Sequence, residues 1–279
     1  MIAAAAPRRR TTPTLVVCAG GSDPMGCAGL AADLHAVKAL GGHPLPVITA
    51  VTVQDTRRVL AVEPVAPRLV RAQLEAVLAD GGAQAVKVGM LATAPVVRAV
   101  AGAIERHRVP NVVVDPVLHA TTGGALLDAP GIQALLGRLF PLAAVLTPNI
   151  PEAEALLGAE LRDLDDMVGA ARALLARGPR AVLLKGGHRR GGAVDVFVDA
   201  RRSLLLRGPR VPTRNTRGTG CLLAAAIAVH LGRGLPPLEA AHRAKAFVLE
   251  AIRRSYPLGR GRGPANAGEA AARAAGPVG

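Results

Sequence analysis

Short apolar runs at 15–19, 45–53, 85–88, 112–115, 145–147 and 181–184 alternate with stretches of helical periodicity along most of the chain. The helical stretches fall at 27–40, 67–79, 94–107, 131–138, 151–157, 165–177, 221–231 and 237–254. Runs this short and rich in Val and Leu predict buried strands, with the intervening stretches packed on them as helices. Such alternation pairs strands in parallel through crossover connections, an α/β fold with a mostly parallel central sheet. Two further runs, 194–198 and 203–206, flank Asp199-Ala200-Arg201-Arg202 and predict a hairpin at the sheet edge. No repeat or linker divides the chain, so one domain is expected over 14–258, between unstructured tails at 1–13 and 259–279.

The polar residues fall where the strands end. Gly20-Gly21-Ser22-Asp23-Pro24 follows the first run, Gln54-Asp55-Thr56 the second and Gly89-Met90 the third. Asp115-Pro116-Val117, Pro148-Asn149 and Lys185-Gly186-Gly187-His188 close the next three. Open α/β sheets bind ligands at the carboxyl ends of their strands, so six such clusters predict a single long cleft.

Within it the segment Asn215-Thr216-Arg217-Gly218-Thr219-Gly220-Cys221 opens an apolar helix. A glycine turn at a helix N-terminus leaves backbone N–H groups unpaired and adds partial positive charge, which suits phosphate or a developing oxyanion. Cys221 sits at that mouth, where a depressed thiol pKa is expected. Asn149 and Glu152 lie three residues apart at a helix start, as oxygen ligands for Mg²⁺ or as a capping box. Asp115 ends an apolar strand, where an acid has no packing purpose and reads as functional or as half of a salt bridge. Lys185 suits nucleotide phosphates or an ion pair. Gln54 offers a donor and an acceptor to a heteroaromatic edge. His35, His119 and His188 are isolated and read as surface or satisfied histidines. No Gly-x-x-x-x-Gly-Lys-Ser/Thr is present, so ATP chemistry here is not of the P-loop kind. The loop Gly21-Ser-Asp-Pro-Met-Gly26 lacks the dinucleotide fingerprint.

Composition narrows the field. Three Phe, one Tyr and no Trp in 279 residues leave a core of Ala, Leu and Val. A surplus of 34 Lys and Arg over 20 Asp and Glu gives +14. That charge alone would admit nucleic acid, but it is scattered and few aromatics are available to stack on bases, so no nucleic-acid partner is expected. Three cysteines follow neither metal nor disulfide spacing. The first ten residues place their charges after the apolar run, the wrong order for a secretory signal. With no stretch of about 20 apolar residues, no membrane partner is expected either, and the cytoplasm is the expected location.

Taken in order, these blocks resemble the hydroxymethylpyrimidine/phosphomethylpyrimidine kinases of thiamine biosynthesis, in the ribokinase-like superfamily. The resemblance is carried by Gly21-Ser-Asp-Pro, Asp33, Gln54-Asp-Thr56, Lys87-Val-Gly-Met90, Val114-Asp-Pro-Val117, Thr147-Pro-Asn149-Ile-Pro-Glu152, Lys185-Gly-Gly-His188 and Asn215-Thr-Arg-Gly218-Thr-Gly-Cys221. It spans about residues 14–250 and implies a three-layer α/β/α ribokinase-like fold and a homodimer. The implied reaction is ATP-dependent phosphorylation of a small-molecule pyrimidine, 4-amino-5-hydroxymethyl-2-methylpyrimidine, and then of its monophosphate. By matching position Gln54 holds the ring, with Asp33, Gly21, Met90 and Val117 lining the same pocket. Glu152 and Asp115, with Asn149, serve Mg²⁺, and Lys185, with Asn149, serves ATP. Gly218, Thr219 and Gly220 form the anion hole and Cys221 is the base, where most of the superfamily carries Asp.

The chain departs from the pattern at Met25, Cys27, Leu30-Ala31, Gly123-Gly124 and Arg217, the last standing where His is usual. None of these falls on the expected base, hole or metal group. Two other functions fit the same residues: a pyridoxine/pyridoxal kinase, and a non-catalytic pyrimidine- or nucleotide-binding regulator. A nucleic-acid binder would instead show strongly salt-dependent affinity.

Overall fold

The computed structural model describes residues 12–120, 123–187 and 193–274, with the side chains of 271–274 excepted. The expected tail at 1–13 falls almost wholly outside the described residues, as does His188.

Among the described residues nine strands form one sheet. They are β1 (Leu15–Ser22), β2 (His43–Gln54), β3 (Val59–Pro64), β4 (Ala85–Val88), β5 (Val112–Val114), β6 (Val145–Leu146), β7 (Ala181–Leu184), β8 (Ala193–Asp199) and β9 (Ser203–Gly208). Their order is β3-β2-β1-β4-β5-β6-β7-β8-β9. The six strands from β2 to β7 in that order run parallel, and β3, β8 and β9 pair antiparallel at the two edges. The central strands are buried on both faces, which explains why they read as continuous apolar runs rather than alternating ones.

Helices cover both faces. On one side lie α2 (Pro67–Asp80), α3 (Ala94–His107), α4 (Ala129–Ala134), α5 (Ile150–Leu157) and α6 (Leu164–Leu175), packed on Val86, Val88, Val112, Val114 and Leu146. On the other lie α1 (Gly29–Ala39), α7 (Thr219–Gly232), α8 (Pro237–Arg253) and α9 (Ala267–Ala274), packed on Val16, Cys18, Ala85, Val113 and Val145. Proline in the first turn starts α2, α3, α4, α5 and α8, where its missing N–H costs nothing. The result is the α/β/α sandwich expected of the ribokinase-like fold. Helix α7 is apolar all round because it is enclosed by α1, α8 and the sheet.

Three elements differ from expectation. Strand β3 was not foreseen: it is an edge strand with only partial burial and a terminal Pro, so it carries no clean alternation. Its turn is set by Asp55, whose carboxylate accepts from the N–H groups of Arg57 and Arg58. The helix expected at 131–138 starts at Ala129 on an Asp128 cap and passes into a π-helical stretch, Leu135–Leu139. The third difference is at the C-terminus, where the segment expected to be a tail is folded. Gly261 donates its N–H to Thr56 Oγ1 at 2.9 Å, and Gly263 to Asn215 Oδ1 at 3.1 Å. Beyond them Ala265, Ala267 and Ala270 are buried against the core. Among the described residues no helix is long and apolar enough to cross a membrane.

Candidate active site

The carboxyl ends of the parallel strands open into a cleft of about 520 Å³. Gly21, Gln54, Met90, Asp115, Val117, Asn149, Glu152, Lys185 and the whole 218–221 turn line it. Gln54 and Cys221 therefore face the same cavity, although 167 positions part them in the chain.

Asp33 is the exception. It lies behind the cleft wall, fully buried on α1, with Lys87 Nζ 2.8 Å from its carboxylate. The expected role as a pocket liner is corrected accordingly: complete burial leaves Asp33 no surface in the cavity, which its partner Lys87 from β4 lines instead. Lys87 lines the cleft and was given no role from sequence. The signal was there, because a Lys within Ala-Val-Lys-Val, a strand buried at all four positions, has no packing purpose. Asp33 holds the Lys87 ammonium above its usual range although burial opposes that.

A second pair sits beside it. Lys185 Nζ donates to Asp115 Oδ1 at 2.8 Å, and Thr147 Oγ1 donates to the same oxygen at 3.0 Å. Burial works against ionising Asp115, but the Lys185 and Lys87 ammoniums hold its carboxyl below the ordinary value. Asp115 Oδ2 has no hydrogen bond among the described residues. At α5 both readings of Asn149 and Glu152 meet. The capping box is complete: Asn149 Oδ1 accepts from Glu152 N at 2.9 Å, and Glu152 Oε2 accepts from Asn149 N at 2.8 Å. Among the described residues no further hydrogen bond holds the remaining Glu152 oxygen. Burial pushes the Glu152 carboxyl up to about 7, against the pull of Lys185.

Two glycines bring α7 up to these pairs. Gly218 has φ 78°, and a Cβ there would run into the carbonyl oxygen of Cys27. A Cβ on Gly220 would sit 3.3 Å from Lys185 Nζ, so the bare backbone lets the helix mouth approach the ion pair. Cys221 follows, in the first turn of α7. Its thiol is not depressed as expected: burial pushes it up to about 11, more than the neighbouring Lys87 ammonium can offset.

Among the described residues no group of three or more His, Cys, Asp or Glu side chains forms a metal cage. Mg²⁺ takes one or two carboxylates and completes its shell with water and phosphate. The free oxygens of Glu152 and Asp115 are donors of that kind. His119 lies exposed at the rim, and Arg217 and Arg262 complete the wall near Gln54.

A family model described as phosphomethylpyrimidine kinase matches residues 23–266. The chain belongs to the phosphomethylpyrimidine kinase family. Within that family it is similar to a Streptomyces coelicolor hydroxymethylpyrimidine/phosphomethylpyrimidine kinase, 44% identical over 94% of this chain and 97% of that one. It is also similar to the thiamine biosynthesis bifunctional protein ThiED of Geobacter sulfurreducens, 46% identical over 90% of this chain. The chain spans about half of that longer relative, 51% of its length. Among solved structures, the ADP complex of Bacillus subtilis pyridoxal kinase superposes with a TM-score of 0.85 at 33% identity, over 91% of this chain and 97% of that one.

Proposed function

We infer that the chain phosphorylates hydroxymethylpyrimidine at its hydroxymethyl group with ATP, then phosphorylates the monophosphate to the diphosphate. The observation that carries this reading is the shared cleft, with a ring-reading amide at one end and a helix-mouth anion site beside a thiol at the other.

In the first reaction the substrate oxygen attacks the γ-phosphorus as the bond to the leaving ADP oxygen breaks. The hydroxyl proton passes to Cys221 Sγ, which accepts it as thiolate. Backbone N–H groups of the 218–221 turn face the charge on the transferring phosphoryl; one such donor is typically worth about 3–4 kcal/mol. Lys185, pinned by Asp115, serves the nucleotide phosphates, and Asn149 lies beside them. Glu152 and Asp115 would hold Mg²⁺, which when bound neutralises phosphate charge. Gly21, Met90 and Val117 form the walls around the ring, with Gln54 at its edge. Lys87 and Asp33 support the site electrostatically from behind.

The reading includes a cytoplasmic location, supported by three free cysteines. It also includes a homodimer, supported by the exposed apolar side chains of Ile48, Val51, Val53 and Leu60 on β2 and β3. A second reading, pyridoxal kinase activity, draws on the likeness to the Bacillus subtilis enzyme. Coupled ADP-release assays on hydroxymethylpyrimidine, its monophosphate and pyridoxine separate the two. Turnover of both pyrimidines with higher kcat/KM than pyridoxine is expected, and preference for pyridoxine would replace the first reading with the second.

A further inference from the structure

Arg217, the residue before the anion turn, is only 6% exposed, and its guanidinium is built into the cleft wall. Nη2 donates to Gln54 Oε1 at 2.6 Å, the single side-chain hydrogen bond of Arg217 among the described residues. Nε lies 3.5 Å from Asp23 Oδ2 and makes no hydrogen bond. Asp23 is fixed in turn, because its carboxylate accepts from the backbone N–H groups of Met25, Cys27 and Ala28. The backbone of Arg217 is held on both sides: its N–H donates to Gly263 O, and its carbonyl accepts from Ala265 N.

We propose that Arg217 is a specificity-determining positioning residue, which fixes the Gln54 amide with its NH₂ group facing the substrate ring. A guanidinium has donors only, so the Gln54 atom against it must be the carbonyl oxygen. Nε2 is then the amide atom left without a protein partner among the described residues. A glutamine at a cleft wall otherwise presents either end, since a turn of its amide exchanges donor for acceptor. Arg217 removes that freedom, and Asp23 with the 263–265 segment keeps the guanidinium from following a turned amide. The cleft therefore selects a heteroaromatic alcohol whose edge at Gln54 carries an acceptor nitrogen. A ring offering only donors or C–H groups there leaves the N–H groups of Gln54 unpaired, a costly mismatch.

This inference deepens the functional reading above and rests on it. Its test replaces the polarity of Arg217 rather than its bulk. Arg217→Gln offers the Gln54 amide both a donor and an acceptor, so it no longer enforces one orientation; Arg217→Lys donates only. Steady-state kinetics of both variants, each with and without Gln54→Ala, are read as KM and kcat for hydroxymethylpyrimidine and KM for ATP. Arg217→Gln is expected to raise KM for the pyrimidine about tenfold, as for a lost hydrogen bond to a charged or buried partner. The kcat and the KM for ATP should stay within about twofold, since Arg217 acts through ground-state ring binding. Arg217→Lys should recover most of the loss, and neither change should add to Gln54→Ala.

An equal KM rise in the Gln54→Ala background, or none with Gln54 present, overturns the proposal. Gln54→Glu tests it with Arg217 untouched. A carboxylate still pairs with the guanidinium but cannot donate to the ring, so KM should rise as for Gln54→Ala while the melting temperature holds. Wild-type-like binding by Gln54→Glu would also overturn it. Failure of the wild-type chain on hydroxymethylpyrimidine refutes the functional reading instead. The same comparisons are then run on pyridoxine, whose ring nitrogen poses the same question.

Discussion

Under the proposed mechanism, replacing Cys221 should change how turnover depends on pH, and the structure sets the size of the change. Burial lifts the thiol to about 11, although Lys87 pulls it down. At pH 7 a group with that pKa is thiolate in about one molecule in ten thousand. If the thiolate is the proton acceptor, kcat/KM for the pyrimidine alcohol should climb about tenfold per pH unit above neutrality. Cys221→Ser removes the ionisable acceptor and keeps the shape, so its profile should be flat over the same range. The ratio of wild type to Cys221→Ser should then grow about a hundredfold between pH 7.5 and 9.5. Cys221→Asp supplies an acceptor that ionises far lower, and its profile should also level off near neutrality. ADP release at saturating ATP and Mg²⁺ measures all three. The comparison is made above pH 7.5 because Glu152, lifted to about 7, adds its own slope below that. Parallel profiles for wild type and Cys221→Ser would refute the assignment and leave the helix mouth to explain the residue.

If Glu152 holds Mg²⁺ as proposed, that binding should depend on pH. Its carboxyl is protonated below about 7 and cannot ligate, so Mg²⁺ affinity should weaken as pH falls from 8 to 6, and Glu152→Gln should abolish that dependence. The raised value also means that ionising Glu152 costs folding stability as pH rises through about 7, so denaturant melts should show Glu152→Gln gaining stability above that pH. Lys87→Met strands a fully buried Asp33 and should cost about 3–5 kcal/mol in urea unfolding, most of it regained by adding Asp33→Leu. Gly218→Ala forces a left-handed residue against the Cys27 carbonyl and should lower kcat at least about a hundredfold with the fold intact by circular dichroism.

The parts of this molecule that were legible in sequence are those with a local cause. Strand runs such as 85–88 and 181–184 are buried on both faces and carry their pattern within four residues. Gly218 and Gly220 announce a turn, and Asn149 with Glu152 announces a cap, because the chemistry lies within a few positions. The missed features depend on pairing that their own pattern does not announce, near at hand for β3 and far along the chain for the 259–265 segment. Strand β3 takes its identity from β2, and the 259–265 segment from Thr56 and Asn215, about 200 and 50 positions away. The Cys221 thiol departs from the expectation of its local sequence because of what packs around it. The helix mouth is local and readable, whereas desolvation comes from everything packed around it, and desolvation prevails.

That balance bears on how the cleft can work. Both lysines in it are already matched, Lys87 with Asp33 and Lys185 with Asp115. A triphosphate entering such a site does not meet bare positive charge. It meets cations whose positions are fixed by carboxylates, together with backbone N–H groups at the mouth of α7. Pairing lowers the affinity for phosphate in the ground state, because each lysine is shared. It also keeps the lysines from moving when charge shifts during transfer, which is the condition under which fixed dipoles and ions stabilise a transition state most. Breaking the Lys185–Asp115 pair with Asp115→Asn should therefore separate the two effects. At saturating Mg²⁺, needed because Asp115 is also a proposed ligand for it, KM for ATP should fall or hold, as Lys185 becomes free to bind phosphate, while kcat drops. A rise in KM for ATP with kcat unchanged would show that the pair serves binding alone.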